Sequence, residues 1–438
     1  MSKERSPLLD TRHSQLKVNL TAYLVGIQGP RERPEEAAEH LGELRQLVET
    51  MGVPIAGEEM VVLREWHPKY LIGSGKAEAI KAVAEGAGAK LIVVDSDLSP
   101  VQQRAWEQLT GEAVIDRQEV ILDIFAGRAR TKEAQLQIEL ARLEYSLPRL
   151  TRAWTHLERQ RGGGGSVGGA GEGQLELDRR MVRDDIFKLK RDLKLVRQQR
   201  ETQRKSRREK PIPTVALVGY TNSGKSSLLN ALTGAGVLSE DKLFATLDPT
   251  TRRVRLANNQ ELLLTDTVGF IRKLPHNLVE AFKATLEEAL MADMLLHVID
   301  SSHPSAIDQL LTTEEVLKEL GADGKETVFV LNKVDLPVDE VDAAALRSRA
   351  TPNIRTSTVT GEGLEELRTF LASFAGEGLV TVKVVLPPDR YAMLGFLHAE
   401  GNVMGEKFEE DGAHLEVQLP PKFLPRIAEF IVSEGKAP

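Results

Sequence analysis

The stretch Thr214–Leu232, TVALVGYTNSGKSSLLNAL, runs from an apolar strand-like segment through a glycine loop into a helix-forming run. Its centre, Gly219-Tyr220-Thr221-Asn222-Ser223-Gly224-Lys225-Ser226-Ser227, has the spacing Gly-x-x-x-x-Gly-Lys-Ser of a phosphate loop. That spacing has a physical basis. Backbone N–H groups at a helix N-terminus point at phosphate oxygens, a lysine neutralises the β/γ-phosphates, and the next hydroxyl can hold Mg²⁺. A strand before the loop and a helix after it imply a doubly layered α/β domain around this site.

Three later segments fit the same site in order. Asp266-Thr267-Val268-Gly269 follows the strand-like ELLLT, 41 residues beyond Lys225. There the Asp266 carboxylate can hold the magnesium through water and the Gly269 N–H can meet a γ-phosphate. Asn332-Lys333-Val334-Asp335 follows the apolar TVFVL. A carboxylate at Asp335 accepts both N–H donors of a guanine edge, a pair adenine lacks, and such a bidentate contact rejects the analogue without it. Ser357-Thr358-Val359, after PNIRT, would complete the base pocket. The expected nucleotide is therefore guanine.

The chain has 438 residues, enough for about three domains of ordinary size. With no cysteine, it can form no disulfide, thiolate zinc site or cysteine nucleophile. Its N-terminus lacks the apolar core of a secretory signal and no apolar run reaches the ~18 residues of a membrane span, so a soluble, cytoplasmic protein is expected. The net charge of −8 conceals an asymmetry: residues 128–210 hold 22 Lys/Arg against 12 Asp/Glu, a balance of +10, and the rest of the chain carries −18. A basic element on an acidic body suggests a polyanionic partner, although a solvated basic helix would look the same.

Outside the nucleotide segments the chain divides by period. Residues 1–127 alternate strand signals (Lys17–Ile27, Val53–Leu63, Lys90–Asp95) with helical ones (Glu35–Met51, Lys76–Glu85), implying a small α/β domain with a mostly parallel sheet. Within it Ile72–Ile80, IGSGKAEAI, imitates a phosphate loop but lacks the first glycine and the hydroxyl after the lysine; it reads as a glycine turn opening a helix. Residues 128–210 place Leu136, Leu140, Leu143, Leu147, Leu150, Trp154 and Leu157 at helical spacing. Val182, Ile186, Leu189, Leu193 and Val196 continue it beyond a glycine tract. That pattern predicts a helical hairpin with arms of roughly 40 Å, a kink at Pro148 and a mobile tip over Gly162–Gly173. The tip is either a passive linker or, given Gly163, Gly164 and Gly165 beside Arg159, Arg161, Arg179 and Arg180, an RNA-binding surface. Residues 211–376 hold the nucleotide domain, and 377–438 read as a small α+β domain ending in a helix over Lys422–Ile431.

These segments together resemble the HflX family, within the Obg–HflX group of translation-factor-class P-loop GTPases. Leu71–Lys76, Val114–Tyr145, Gly162–Arg180 and Asp266–Phe282 carry the resemblance, which covers about residues 16–376. It implies a P-loop GTPase domain preceded by a small α/β domain and a long helical hairpin and followed by a small α+β domain. It further implies a GTPase that binds the large ribosomal subunit, monomeric when free, and that helps split stalled or idle ribosomes under stress. Thr246, Thr250 and Thr251 could each serve as the switch I ligand of Mg²⁺. The resemblance selects Thr246, within Phe244-Ala245-Thr246-Leu247-Asp248, and gives Lys225, Thr246 and Gly269 the catalytic roles. Arg272 and Lys273 fit the family pattern, whereas Ser357-Thr358-Val359 departs from the usual Ser-Ala-Lys.

The position after Asp-x-x-Gly, where many GTPases carry a water-orienting glutamine, is Phe270. An apolar ring cannot orient water, so slow intrinsic turnover is expected, stimulated by the ribosome or a cation. Asn222 could bind K⁺ against the phosphates or only stabilise the loop. His67, His156, His276, His297 and His303 form no close metal-ligand pair in sequence. The competing reading is an ATP-using RNA remodeller or helicase with a second nucleotide site near Gly73–Lys76.

Overall fold

Leu91–Val94, LIVV, is buried at every position, as a strand covered on both faces by helices must be. It is β3 of a parallel sheet with β1 (Ala22–Gln28), β2 (Ile55–Val62) and β4 (Ala113–Asp116), in the order β2-β1-β3-β4. The expected strands are all present; residues 17–19 of the first lie outside the described residues, and the other two are shorter by one or two residues at each end. The structure, a computed structural model, describes residues 20–150, 170–207, 212–234, 243–256, 260–272, 288–376, 379–419 and 423–434. They form two compact units.

The first unit holds this sheet and the helices that follow. The helix Pro34–Met51 buries Leu41, Leu44, Leu47 and Val48 and stops at Gly52, which takes the left-handed conformation only glycine adopts freely. Gly73 is the N-cap of the helix Ser74–Gly86, and Lys76 pairs with Glu59 across to β2. The phosphate-loop-like phrase is thus a helix start, as its sequence implies, and a second nucleotide site there finds no support.

After the helix Arg117–Arg128 comes Lys132–Ser146, followed by a 3-10 turn at Leu147–Arg149 and the 38-residue helix Ala170–Arg207. Leu143, Val182 and Leu189 are buried between the two arms, with Leu136, Leu140, Leu147, Leu150 and Ile186 packed on them, so the predicted seam exists. Three details differ from expectation. The first described arm ends at Ser146 rather than kinking through Pro148, which sits in the 3-10 turn; a proline lacks the N–H that an α-helix would need there. The second arm is about 57 Å long, well beyond the expected 40 Å. It begins at Ala170, so Gly171 and Gly173 are helical. Trp154, Leu157 and the rest of the expected tip lie outside the described residues.

A buried polar network fixes the base of this hairpin on the sheet. Asp116, at the end of β4, is fully buried and accepts hydrogen bonds from Leu98 N, Glu119 N, Tyr145 Oη and Arg149 Nη2, at 2.9–3.2 Å. Burial pushes its carboxyl above the usual range, and these donors counter the shift. The Arg149 guanidinium lies 3.5 Å from the Tyr145 ring centroid and also donates to Leu98 O and Gln103 Oε1. Beside this group Arg117, 2% exposed, is paired with Asp95 and Glu43.

The first unit also takes in Leu243–Asp248. The Asp248 carboxylate accepts from Arg130 N (2.8 Å), Thr131 N (3.1 Å) and Thr131 Oγ1 (2.6 Å), while Thr131 Oγ1 accepts from Ala134 N as the N-cap of Lys132–Ser146. Phe244 packs edge-on against Phe125, with centroids 4.5 Å apart.

The second unit carries a six-stranded sheet, β10-β9-β8-β5-β7-β6, comprising β5 (Thr214–Val218), β6 (Thr250–Arg255), β7 (Glu261–Asp266), β8 (Met294–Asp300), β9 (Glu326–Asn332) and β10 (Asn353–Arg355). Only β6 runs antiparallel to its neighbour. A smaller antiparallel sheet follows, β12-β13-β11-β14, from β11 (Val380–Leu386), β12 (Asn402–Glu409), β13 (Gly412–Leu419) and β14 (Ile431–Glu434). The expected terminal helix is reduced to Leu424–Ile427 and a 3-10 turn at Ala428–Phe430. Ile431 instead begins a strand that pairs with β11, where its β-branched side chain packs on the sheet core.

The cap at Thr131 is testable. Thr131→Val removes both the cap acceptor and the donor to Asp248, and should lower unfolding stability by about 1–2 kcal/mol. Thr131→Ser should recover most of the loss in a urea titration followed by circular dichroism.

Candidate functional site

The phosphate loop spans the gap between β5 and the helix Lys225–Thr233. Two of its glycines have no substitute. A Cβ on Gly219 (φ +144°) would lie 2.2 Å from Val298 O, and one on Gly224 (φ +96°) would lie 2.1 Å from Asn332 Nδ2. The loop backbone therefore rests directly on the ends of β8 and β9. Asn222 also takes a left-handed conformation, at φ +61°. Lys225 folds back beneath the loop and donates to Gly219 O (3.1 Å) and Tyr220 O (2.6 Å). Burial pulls its pKa down to about 8, opposed by the charge of Asp266. A desolvated ammonium at a helix start favours an anionic ligand. The hydroxyls of Thr221 and Ser223 are buried there with no hydrogen-bond partner among the described residues. Ser227 follows on the first turn of the helix.

Ser226 Oγ donates to Asp266 Oδ2 at 2.6 Å, joining the helix start to the end of β7. These two hard oxygen donors suit a small divalent cation, and Mg²⁺ held by Ser226 and, through water, by Asp266 would replace that hydrogen bond. Thr267 donates to Leu217 O, fixing the strand end; Val268 and Phe270 are buried beside it. Gly269 is confined by the loop, since a Cβ there would lie 2.8 Å from Thr221 Cα.

The loops after β9 and β10 meet at Asn332, which is fully buried. It donates to Ser223 O (3.0 Å) and accepts from Thr356 Oγ1 (3.2 Å). One side chain thus ties the phosphate loop to the expected base pocket. Lys333, at φ +62°, reaches Asp300 at 2.7 Å, and Val334 N donates to Thr356 O. Asp335 is exposed at the mouth. Ser357 is buried and its hydroxyl accepts from Val359 N and Thr360 N, closing the turn that carries Thr358 and the exposed Val359. Sequence reading missed Thr356, Asp300 and Ser301, whose hydroxyl donates to Asn332 O at 2.7 Å. Their position at strand ends beside the motif was the available signal.

Of the switch I candidates, Thr250 and Thr251 begin β6, paired with Asp266 and Thr265, whereas Thr246 belongs to the other unit. There the Phe244 ring is buried against Phe125 and the Asp248 carboxylate holds the start of Lys132–Ser146, with Ala245, Thr246 and Leu247 between them. Of the RNA-facing candidates, Arg179 is half-buried and Arg180 exposed on the long helix. Arg159, Arg161, Gly163, Gly164 and Gly165 lie outside the described residues, as do Lys273, His156 and His276. His67 and His303 accept backbone N–H bonds in turns.

Fold and site define the class: a P-loop protein that binds and hydrolyses GTP. Three family profiles match, described as GTP-binding GTPase N-terminal (38–126), GTP-binding GTPase Middle Region (128–207) and 50S ribosome-binding GTPase (214–333). The GTPase HflX of Akkermansia muciniphila is 48% identical over 91% of this chain and 94% of its own length. That of Escherichia coli is 43% identical over 87% and 90%. A GTP-binding protein from Sulfolobus solfataricus, solved with GDP, aligns over 82% of this chain and 99% of its own at 28% identity and a TM-score of 0.45. The chain belongs to the GTPase HflX family. Among the described residues no helix is long and apolar enough to cross a membrane.

His297, beneath the loop on β8, has a pKa pulled down to about 3 by burial and by the nearby Lys225 charge. The unfolded chain therefore binds the extra proton below its ordinary value of about 6.5, and stability is lost as pH falls from there towards 3. His297→Leu should flatten the fall in unfolding free energy between pH 7 and 4.5 by about 2–3 kcal/mol relative to the parent, measured by denaturant titration.

Proposed function

We propose that this GTPase binds the large ribosomal subunit and, gated by GTP, helps dissociate stalled or idle ribosomes in the cytoplasm under stress. The observation that carries the reading is the basic region 128–210, whose long helix packs on an arm rooted in the N-terminal sheet. Basic charge on a rigid element suits an RNA-lined cavity. The resemblance of 214–333 to a family described as ribosome-binding supports the same partner. Its working parts are 1–127 as the N-terminal domain, 128–210 as the RNA-facing hairpin, 211–376 as the GTP switch and 377–438 as an appended domain.

In this reading Gly219–Ser227 cradles the phosphates, and Lys225 neutralises charge on the β/γ-phosphates. Ser226, Thr246 and Asp266 hold Mg²⁺, Asp266 through water, and the Gly269 N–H meets the γ-phosphate. Asn332–Asp335 and Ser357–Val359 hold guanine. Buried Phe270 puts an apolar ring where a water-orienting side chain would stand. Intrinsic turnover is accordingly slow, with the ribosome, or K⁺ bound near Asn222, supplying what is missing. GTP binding orders the switches and favours the ribosome-bound state; hydrolysis reverses the preference.

Asp335→Asn should cost about 2–4 kcal/mol of GTP affinity and move preference toward xanthine, because the carboxylate acceptor becomes a mixed donor and acceptor. Parent-like GTP affinity in a nucleotide titration would remove Asp335 from the base pocket. The ribosome reading is tested by sedimentation with 50S subunits in a GTP analogue, in GDP and without nucleotide. Co-migration should be strongest with the analogue. Charge reversal at Arg179 and Arg180 should weaken it and flatten its salt dependence, while deletion of Gly163–Gly171 should impair splitting more than binding. Nucleotide-independent sedimentation, or an unchanged salt slope, would count against this role.

A further inference from the structure

We propose that Tyr220 is a specificity residue for the number of phosphates, closing a latch that the third phosphate must open. Its place in the phosphate loop calls for backbone, yet its ring is only 7% exposed and its hydroxyl is engaged: Arg272 N donates to Tyr220 Oη at 2.9 Å. Two backbone bonds lie alongside. Thr221 N donates to Phe270 O at 2.7 Å, and Phe270 N donates to Gly219 O at 3.1 Å. Together they form a parallel bridge between Tyr220 and Phe270. The bridge continues the β5–β7 pairing, in which Leu217 lies opposite Asp266, but one residue out of step. The chain beyond Asp266 is thus held on the phosphate loop by three hydrogen bonds.

The held segment stands in the way of a ligand group. Gly269 is pressed so closely that even a methyl would lie 2.9 Å from Thr221 Cγ2 and 3.0 Å from Lys225 Nζ. A phosphoryl group is larger than a methyl. Seating one between Gly269 and the Lys225 ammonium requires the segment to move away from the loop. The Thr221 N–H, a natural donor to a phosphate oxygen, is turned instead to Phe270 O. A diphosphate leaves this bridge in place, whereas a triphosphate must break it and recover its energy from contacts to the third phosphate. Each bond of the bridge therefore biases the site toward the diphosphate, as any interaction made in only one of two states must. The Tyr220 hydroxyl makes the one bond of the three that a side-chain substitution removes. The inference rests on the phosphate-loop assignment and is independent of the ribosome.

The test uses the full chain, titrated with a fluorescent GDP and with a fluorescent non-hydrolysable GTP analogue. The measured quantity is the ratio of the two dissociation constants. Tyr220→Phe keeps the ring and its packing and deletes only the acceptor. It should shift the ratio three- to tenfold toward the triphosphate analogue, the equivalent of one net hydrogen bond. Arg272→Pro removes the same bond from the donor side, together with the Arg272–Asp308 ion pair, and should shift the ratio the same way. A ratio within twofold of the parent in both folded variants, or a shift toward GDP, would overturn the latch. If the parent bound neither nucleotide, the phosphate-loop assignment would fall, and the latch with it.

Discussion

Two backbone contacts with no room for a side chain hold this site together. Gly219 lies against the carbonyl of Val298 and Gly224 against the amide of Asn332. With the loop seated on these strand ends, Lys225 can be buried beneath it, bonded to two loop carbonyls, and Ser226 can reach Asp266. Asn332 then passes the same restraint to Thr356 and the turn at Ser357. The phosphate loop, the ends of β7 and β9 and the turn at Ser357 are thus joined by one chain of contacts.

Most of this site was legible because each motif is a backbone requirement written as a residue type. Glycine at 219 and 224 marks close approach, and the apolar runs before Asp266 and Asn332 mark buried parallel strands whose ends converge. The helical seam was legible for the same reason, since leucines recurring at spacings of three and four have one buried face. The β13 strand, with its alternating burial, illustrates the period of two.

What was not legible came from tertiary context. Nothing in the period of Lys422–Ile431 says that its last residue will pair with β11, because a short apolar run fits a helix or a strand equally well. Nothing local to Tyr220 says that its hydroxyl will serve a backbone amide fifty-two residues later. The Asp116 network is equally silent in sequence. Its donors come from Leu98, Glu119, Tyr145 and Arg149, which share no spacing and meet only after the sheet and the hairpin base have packed. Such a network, fully donated to, fixes one arrangement where an apolar contact would tolerate several.

The carboxylate that secures the start of Lys132–Ser146 also bears on how the chain is made. Asp248 lies 117 residues after Thr131, beyond the whole hairpin and the phosphate loop. At a synthesis rate of 5–20 residues per second, the helix emerges roughly 6–23 seconds before the group that braces it. For that interval Phe125 also lacks the ring of Phe244. The first unit is therefore not a bead that closes before the next begins. It finishes folding only when part of the nucleotide domain has left the ribosome, so a nascent chain halted anywhere before residue 244 leaves the Phe125 ring without that cover.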